Sequence, residues 1–391
     1  MEYNKNKFFS FKKIRKNRKS KFNHKVKNKK IVYKVNKKGS KKRKLIFYKI
    51  IKIIIIFLFL SLLYKYKINK AFLQIFDLKN IHNVFNYSIQ YDKYNEIIDE
   101  KYKYLQNYFC ENQNENLNQE YENKIKMIKI DFNGKNNNIY IYKDKDYTSK
   151  VIIETGQYEG KYTKQCLSAL EFYSKKKGLE NKDIYFLDVG ANIGWYSFFI
   201  GKYGYNVLSF EASKINSYIL YKNYCLNKDV IVTIINKGLD EEDKKCILKI
   251  VSQNVGNGAI FCENRESNYR AFDKYTDSIE LTKLSRYNKY LLKNNLALIK
   301  IDVEGDEEKV IKGGKEIVTK FHVPFIMIEF DISILKFHQT NVLEFLKFFE
   351  NNGYKFRLVG FLSKEYISSE ELIKISTTNT NVFIVYEKFL Q

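Results

Sequence analysis

FLDVGANIGWYSFFIG, Phe186 to Gly201, is an apolar run that ends on an acid, turns through two glycines and an asparagine, and resumes as an apolar pattern. A buried strand that delivers its C-terminal end to a glycine-containing turn and then a helix makes the crevice in which α/β folds bind ligands. Asn192 stands where the dinucleotide pattern G-x-G-x-x-G needs its second glycine, so the turn disfavours NAD. Asp188, at the strand end, is ill suited to a pyrophosphate and suits a ligand with a positive amino group. Gly190 lets backbone approach such a ligand closely, and Gly194 lets the helix start pack against the strand.

The next strand candidate, Asn206 to Glu211, ends in SFEAS and sets Glu211 23 residues after Asp188 (211 − 188). Rossmann-like folds place an acid on a ribose hydroxyl pair at about this separation. An amino group and a ribose without phosphates describe S-adenosylmethionine. Around these two strands, helical and strand patterns alternate: helix from Lys164 to Lys177, strand at Ile184 to Val189, helices from Trp195 to Tyr203 and Lys214 to Leu226, strand at Val230 to Ile235. Later come LALIKID (Leu296 to Asp302), a helix near Glu307 to Phe321, PFIMIEF (Pro324 to Phe330), and strand candidates at Tyr354 to Gly360 and Asn381 to Glu387. Alternation of this kind implies βαβ units in a mostly parallel, Rossmann-like sheet with helices on both faces. Before it, IKMIKIDF and NIYIY flank Asn133-Gly134 as a β-hairpin, so the folded domain is expected over 125–391.

FLDVGANIGWYS, FEAS, IKIDVEGDEEKVIKGG (Ile299 to Gly314) and PFIMIEF together resemble the FkbM-type S-adenosylmethionine-dependent methyltransferases, over roughly Ile125 to Glu387. The resemblance is most specific in GANIG and KIDVEG. It is weakest between Leu239 and Lys293, where IELTKL stands in place of the family's leucine-aspartate segment. It implies a seven-stranded class I methyltransferase sheet with one antiparallel strand, and methyl transfer to oxygen, often of a sugar or polyketide. By match, Asp188, Gly190, Asn192 and Gly194 line the cofactor, Glu211 takes the ribose, and Glu159 of GQYEG closes over cofactor or acceptor.

An aliphatic hydroxyl needs a base or a metal before it attacks a methyl carbon. Asp302 ends the strand LALIKID at the C-terminal edge of the sheet, Glu304 follows on the turn, and Lys300 alternates to the side of Asp302. These three are the expected catalytic group, with Asp302 as base or metal-assisting acid, Glu304 its partner, and Lys300 tuning them by charge. A capping and salt-bridge cluster at the start of the following helix is the structural alternative. Glu329, on PFIMIEF, is the expected acceptor contact. Asp302, Glu304 and Glu329 offer oxygens suited to magnesium, but acidic triplets at strand ends are common and no metal is assigned. His322 and His338 flank the late helix and strand region and are more simply surface or core residues.

The net charge of +25 is uneven: residues 1–44 hold 20 Lys or Arg against Glu2, or +19, which leaves +6 (25 − 19) for the rest. Tail 1–44 reads as a basic, disordered cytosolic arm. Leu45 to Tyr64, interrupted among charges only by Lys49 and Lys52, has the length and apolarity of a bilayer-spanning helix. The positive-inside rule then sends the remainder across, a type II orientation in endoplasmic reticulum or Golgi with a lumenal catalytic domain. Residues 65–124 read as a polar stem. Five cysteines, none in C-x-x-C spacing, allow one or two disulfides in such a lumen with a thiol left over, and Asn86-Tyr87-Ser88 is a sequon there. The partners expected are therefore the bilayer and a small-molecule or glycan acceptor, with no specific nucleic acid. One proline, Pro324, excludes the signature of base-amino methylation, Asn or Asp followed by two prolines and an aromatic. The remaining rival is a membrane-anchored scaffold that retains the fold without catalysis.

Overall fold

The apolar runs of the sequence become central strands because helices cover both faces of the sheet, which removes the need for alternation. The computed structural model describes residues 98–391 apart from 114–117, 133–134, 252–253, 263–271, 294 and 377–379. The basic tail, the apolar run at 45–64, the sequon and most of the expected stem lie outside the described residues. Among the described helices none is long and apolar enough to cross a membrane.

The strands are β1 (Ile125–Phe132), β2 (Lys135–Tyr142), β3 (Tyr185–Val189), β4 (Asn206–Phe210), β5 (Val232–Ile235), β6 (Gly238–Leu239), β7 (Lys244–Val251), β8 (Asn254–Phe261), β9 (Phe272–Thr282), β10 (Leu296–Ile301), β11 (Phe325–Phe330), β12 (Tyr354–Arg357) and β13 (Thr380–Tyr386). Seven of them form one sheet in the order β12-β13-β11-β10-β3-β4-β5. Only β13 runs antiparallel to its neighbours β11 and β12. The expected seven-stranded α/β sheet with one antiparallel strand is therefore present. The chain leaves β3 in one direction for β4 and β5 and resumes on the other side with β10 and β11, so the crevice opens at the carboxyl ends of β3 and β10.

Alternation along the strands divides two cores. Phe186, Val207, Leu298 and Met327 face the layer containing helices Gly160–Lys177 and Trp195–Gly201. Leu187, Val189, Leu208, Ile299 and Ile301 face the layer containing Glu307–Gly313 and Val342–Asn351. By the same period of two, Asp188 and Lys300 share the first face.

Two features depart from the sequence reading. The expected stem is not a spacer throughout, because helix Ile98–Glu111 belongs to the folded body. Gln106 is fully buried and serves the edge strand β5 twice, donating from Nε2 to Val232 O (2.8 Å) and accepting from Ile234 N (3.0 Å). Backbone groups of an edge strand that would otherwise lie open are satisfied in this way. The folded domain accordingly begins no later than Ile98, rather than at Ile125. The second departure is a four-stranded sheet, β6-β9-β7-β8, built from the stretch where the family resemblance was weakest.

Two disulfides join Cys110 to Cys225 and Cys246 to Cys262, and Cys166 remains a buried free thiol. The first ties Ile98–Glu111 to helix Lys214–Leu226, and the second closes the open end of the β7–β8 hairpin. A bridge across so long a loop restricts the unfolded chain strongly, so Cys225→Ser is expected to cost about 2–5 kcal/mol of stability. Urea unfolding of the oxidised protein measures this, and coincident wild-type and variant transitions would show that the bridge contributes nothing.

Candidate active site

The turn after β3 is held from three sides. Gly190 and Ala191 both donate their amides to Phe210 O at 3.0 Å. Gly190 has φ +77°, and a Cβ there would lie 1.8 Å from the carbonyl oxygen of Asp302. The close approach that requires glycine is thus to the neighbouring β10 turn, not only to a ligand. Gly194, at φ +91°, lies off the cavity wall and admits Leu220 and Phe198, so it packs helix against helix.

Asn192 adopts φ +52°, a left-handed conformation that asparagine tolerates. Its amide donates to Glu211 Oε2 at 2.7 Å. The other oxygen, Oε1, accepts from Ser213 N at 2.8 Å and from Asn216 Nδ2 at 3.5 Å. Glu211 is 7% exposed on the wall of the cavity, and burial pushes its carboxyl up to about 7 despite these donors.

Asp188 is placed differently from the expectation that it lines the cofactor. It is fully buried beneath the turn and is not part of the cavity wall. Its Oδ2 accepts from Ser197 Oγ at 2.6 Å, and Oδ1 lies 4.0 Å from Lys300 Nζ without a hydrogen bond. Burial raises its carboxyl, and Lys300 and Ser197 oppose that rise. The reason is the strand register, which directs Asp188 into the helix Trp195–Gly201 instead of over the carboxyl edge of the sheet.

Lys300 is 3% exposed, with Nζ 3.0 Å from Asp302 Oδ2 and 4.9 Å from the centre of the Tyr196 ring. Burial disfavours its charge, but Asp302, Asp188 and Glu159 outweigh burial and raise its pKa, keeping it an ammonium. Glu159, at φ +47°, accepts from Tyr196 Oη at 2.5 Å and from Asn381 Nδ2 at 3.5 Å. Burial raises its carboxyl as well. Glu304, at φ +58°, is pushed up to about 7 by burial and then by the charge of Asp302, with Asn257 as a side-chain hydrogen-bond partner.

Asp302, Glu304 and Glu329 converge: one carboxylate oxygen from each lies within 4.8 Å of the other two. They share with Glu159, Glu211, Asn192 and Lys300 the wall of a single cavity of about 400 Å³. That size falls within the roughly 300–1,000 Å³ of small-molecule sites. His338 joins Asp306, its Nδ1 2.9 Å from Oδ1, and His322 stacks on Tyr386 with ring centres 4.5 Å apart; neither histidine lines the cavity.

Several contributors were not foreseen. The β7–β8 hairpin supplies Val255, Gly256, Asn257 and Gly258 to the cavity wall. Gly256 O accepts from Asn216 Nδ2 (2.9 Å) and Asn192 Nδ2 (3.4 Å), so the hairpin is bound both to the glycine turn and to helix Lys214–Leu226. Glu307, 1% exposed, accepts at Oε1 from Val303 N (3.0 Å) and Gly305 N (3.2 Å), fastening the turn that presents Asp302 and Glu304. The sequence signals were the doubled glycine in NVGNG and the acid-rich GDEE after KIDVE.

Residues 188–356 match the model of the family described as methyltransferase FkbM domain. No curated protein matches the chain. Among solved structures, WbdD with a kinase inhibitor is similar at 9% identity and TM-score 0.36, over 60% of this chain and 42% of that one. The T. thermophilus 16S rRNA N2 G1207 methyltransferase (RsmC), in complex with AdoMet and guanosine, is similar at 10% identity and TM-score 0.32, over 67% and 50%. M. jannaschii TYW2 in complex with AdoMet is similar at 13% identity and TM-score 0.27, over 66% and 84%. The chain spans about half or less of the length of the first two structures.

Proposed function

We propose, from the premise that residues 188–356 are an FkbM methyltransferase domain that uses S-adenosyl-L-methionine, that this chain methylates a hydroxyl oxygen on a glycan or other small metabolite. The observation that carries the reading is one cavity with Glu211 at the glycine turn and Asp302, Glu304 and Glu329 gathered in the same wall.

The side chains fit the cofactor. A carboxylate has about four lone-pair sites, and the three donors from Asn192, Ser213 and Asn216 leave Glu211 acceptor capacity for a ribose diol. A wall rich in carboxylates suits a cationic ligand. When bound, S-adenosyl-L-methionine supplies an electrophilic methyl carbon on a sulfonium. Asn192 and Ser213 orient Glu211 for the ribose, while the Gly190 turn holds the carboxyl ends of β3 and β10 in register. Glu159 and Tyr196 lock each other beside Lys300, and Lys300 fixes Asp302. Glu304, whose carboxyl changes charge near neutral pH, accepts the proton of the acceptor hydroxyl. Glu329 contacts the acceptor. The hairpin β7–β8 forms part of the cavity wall.

The same reading includes anchoring through the apolar run at 45–64, with the catalytic domain in a secretory lumen. Two disulfides in the described residues support an oxidising compartment. Protease added to sealed vesicles is expected to leave the domain intact; digestion from outside would reverse the orientation. Polar extracts and glycans compared with and without the protein are expected to differ by one methyl mass on an oxygen. A methyl gained only on nitrogen or carbon would overturn the oxygen assignment.

A further inference from the structure

We infer that Asp302, Glu304 and Glu329, with Asn381, form a binding site for one hard divalent cation beside the acceptor position. Its catalytic purpose rests on the methyl-transfer reading above; the binding itself rests on the side chains. The three carboxylate oxygens, within 4.8 Å of one another, have a spread that an ion with oxygen ligands at roughly 2.0–2.6 Å bridges.

Asn381 adds an independent sign. It stands directly opposite Glu329 across the β11–β13 ladder, so the two side chains leave the same face of the sheet. It is 5% exposed, lies in the wall of the same cavity, and its Oδ1 accepts no hydrogen bond. Its Nδ2 is engaged by Glu159, which leaves the oxygen as the atom in want of a partner. Buried amide oxygens are almost always satisfied, and a neutral carbonyl is a ligand that hard cations accept.

Charge points the same way. Among the described residues the cavity wall holds Glu159, Glu211, Asp302, Glu304, Asp306 and Glu329 against one cation, Lys300. Asp306 is paired with Lys309 and His338, and Lys300 holds Oδ2 of Asp302, leaving Oδ1 for an ion. An all-oxygen set without His or Cys favours Mg²⁺, Mn²⁺ or Ca²⁺ over zinc. An acceptor hydroxyl entering as a further ligand is oriented by the ion, and its proton passes more readily to the non-ligating oxygen of Glu304.

The test is titration of the full-length protein with Mn²⁺ alone, followed by the electron paramagnetic resonance of free Mn²⁺. One ion per chain is expected, displaced by Mg²⁺, with affinity at least about tenfold weaker in Glu329→Gln and Asn381→Ala. Asn381→Asp, which adds a charged ligand, is expected to bind more tightly, and it decides the matter should Glu329→Gln fail to fold. Absence of saturable binding, or a site indifferent to all three substitutions, overturns the inference. Calorimetry with S-adenosyl-L-methionine on the same samples separates the two readings. Cofactor heat without Mn²⁺ uptake sinks the cation site alone, and Mn²⁺ uptake without cofactor heat sinks methyl transfer alone.

Discussion

Glu304→Gln is expected to lower kcat by about 10²–10⁴-fold while leaving the cofactor Kd within about twofold, because general-base catalysis contributes on that order and the ribose is taken by Glu211 rather than Glu304. Burial and the charge of Asp302 push the Glu304 carboxyl up to about 7. The base must be ionised to accept a proton, so wild-type kcat measured without added divalent cation rises as pH passes upward through about 7 and falls below it, and a cation bound at Glu304 moves that limb to lower pH. The amide variant lacks that limb. A pH profile on the acceptor found by the glycan comparison measures both effects. Retention of full activity and of the acid limb in the variant would assign the proton to another group.

Glu211→Ala is expected to weaken S-adenosyl-L-methionine binding by about 10²-fold or more, since hydrogen bonds to a charged group contribute roughly 1.5–3 kcal/mol each and a ribose diol makes two. The Glu211 carboxyl is pushed up to about 7 by burial. The hydroxyls donate to the ionised form, so affinity falls about tenfold per pH unit as pH drops below that value. In the free protein the linkage has the opposite sense. The folded pKa lies above the ordinary 4.5, so this group's contribution to stability is complete below pH 4.5 and is lost as pH rises to about 7. Calorimetry from pH 6 to 8 distinguishes this arrangement from a spectator acid, for which the wild-type and Glu211→Gln affinities would run parallel with pH.

The parallel sheet and the two loops at its carboxyl edge were legible because they rest on local spacing. DVGANIG and KIDVEG each combine a buried strand, a turn that needs left-handed residues, and an acid at a fixed offset. The places of Glu211 and Glu304 at the carboxyl edge follow from that grammar, although the base is expected there at Asp302, with Glu304 its partner. Asp188 illustrates its limit: on a strand covered on both faces, a shift of one residue decides between crevice and core, and an acid beside Ser197 and Lys300 is stable inside. Long-range partners were not legible. Gly256 meets Asn192 across 64 positions, and Gln106 meets β5 across more than 120, with nothing local to announce either. Gln106 also disguised its helix, because a polar side chain occupies the innermost position and the segment reads as hydrophilic.

The Cys110–Cys225 bond has a mechanical consequence. Tension applied at the amino-terminal end enters helix Ile98–Glu111 and passes through sulfur to helix Lys214–Leu226, bypassing everything between. The 115 bypassed positions, at roughly 3.5 Å each, amount to about 40 nm of chain that no pull can extend until the bridge is reduced. The glycine turn, Glu159 and Glu211 all lie within that shielded length, so force entering at Ile98 reaches the rest of the molecule without stretching the backbone that carries them.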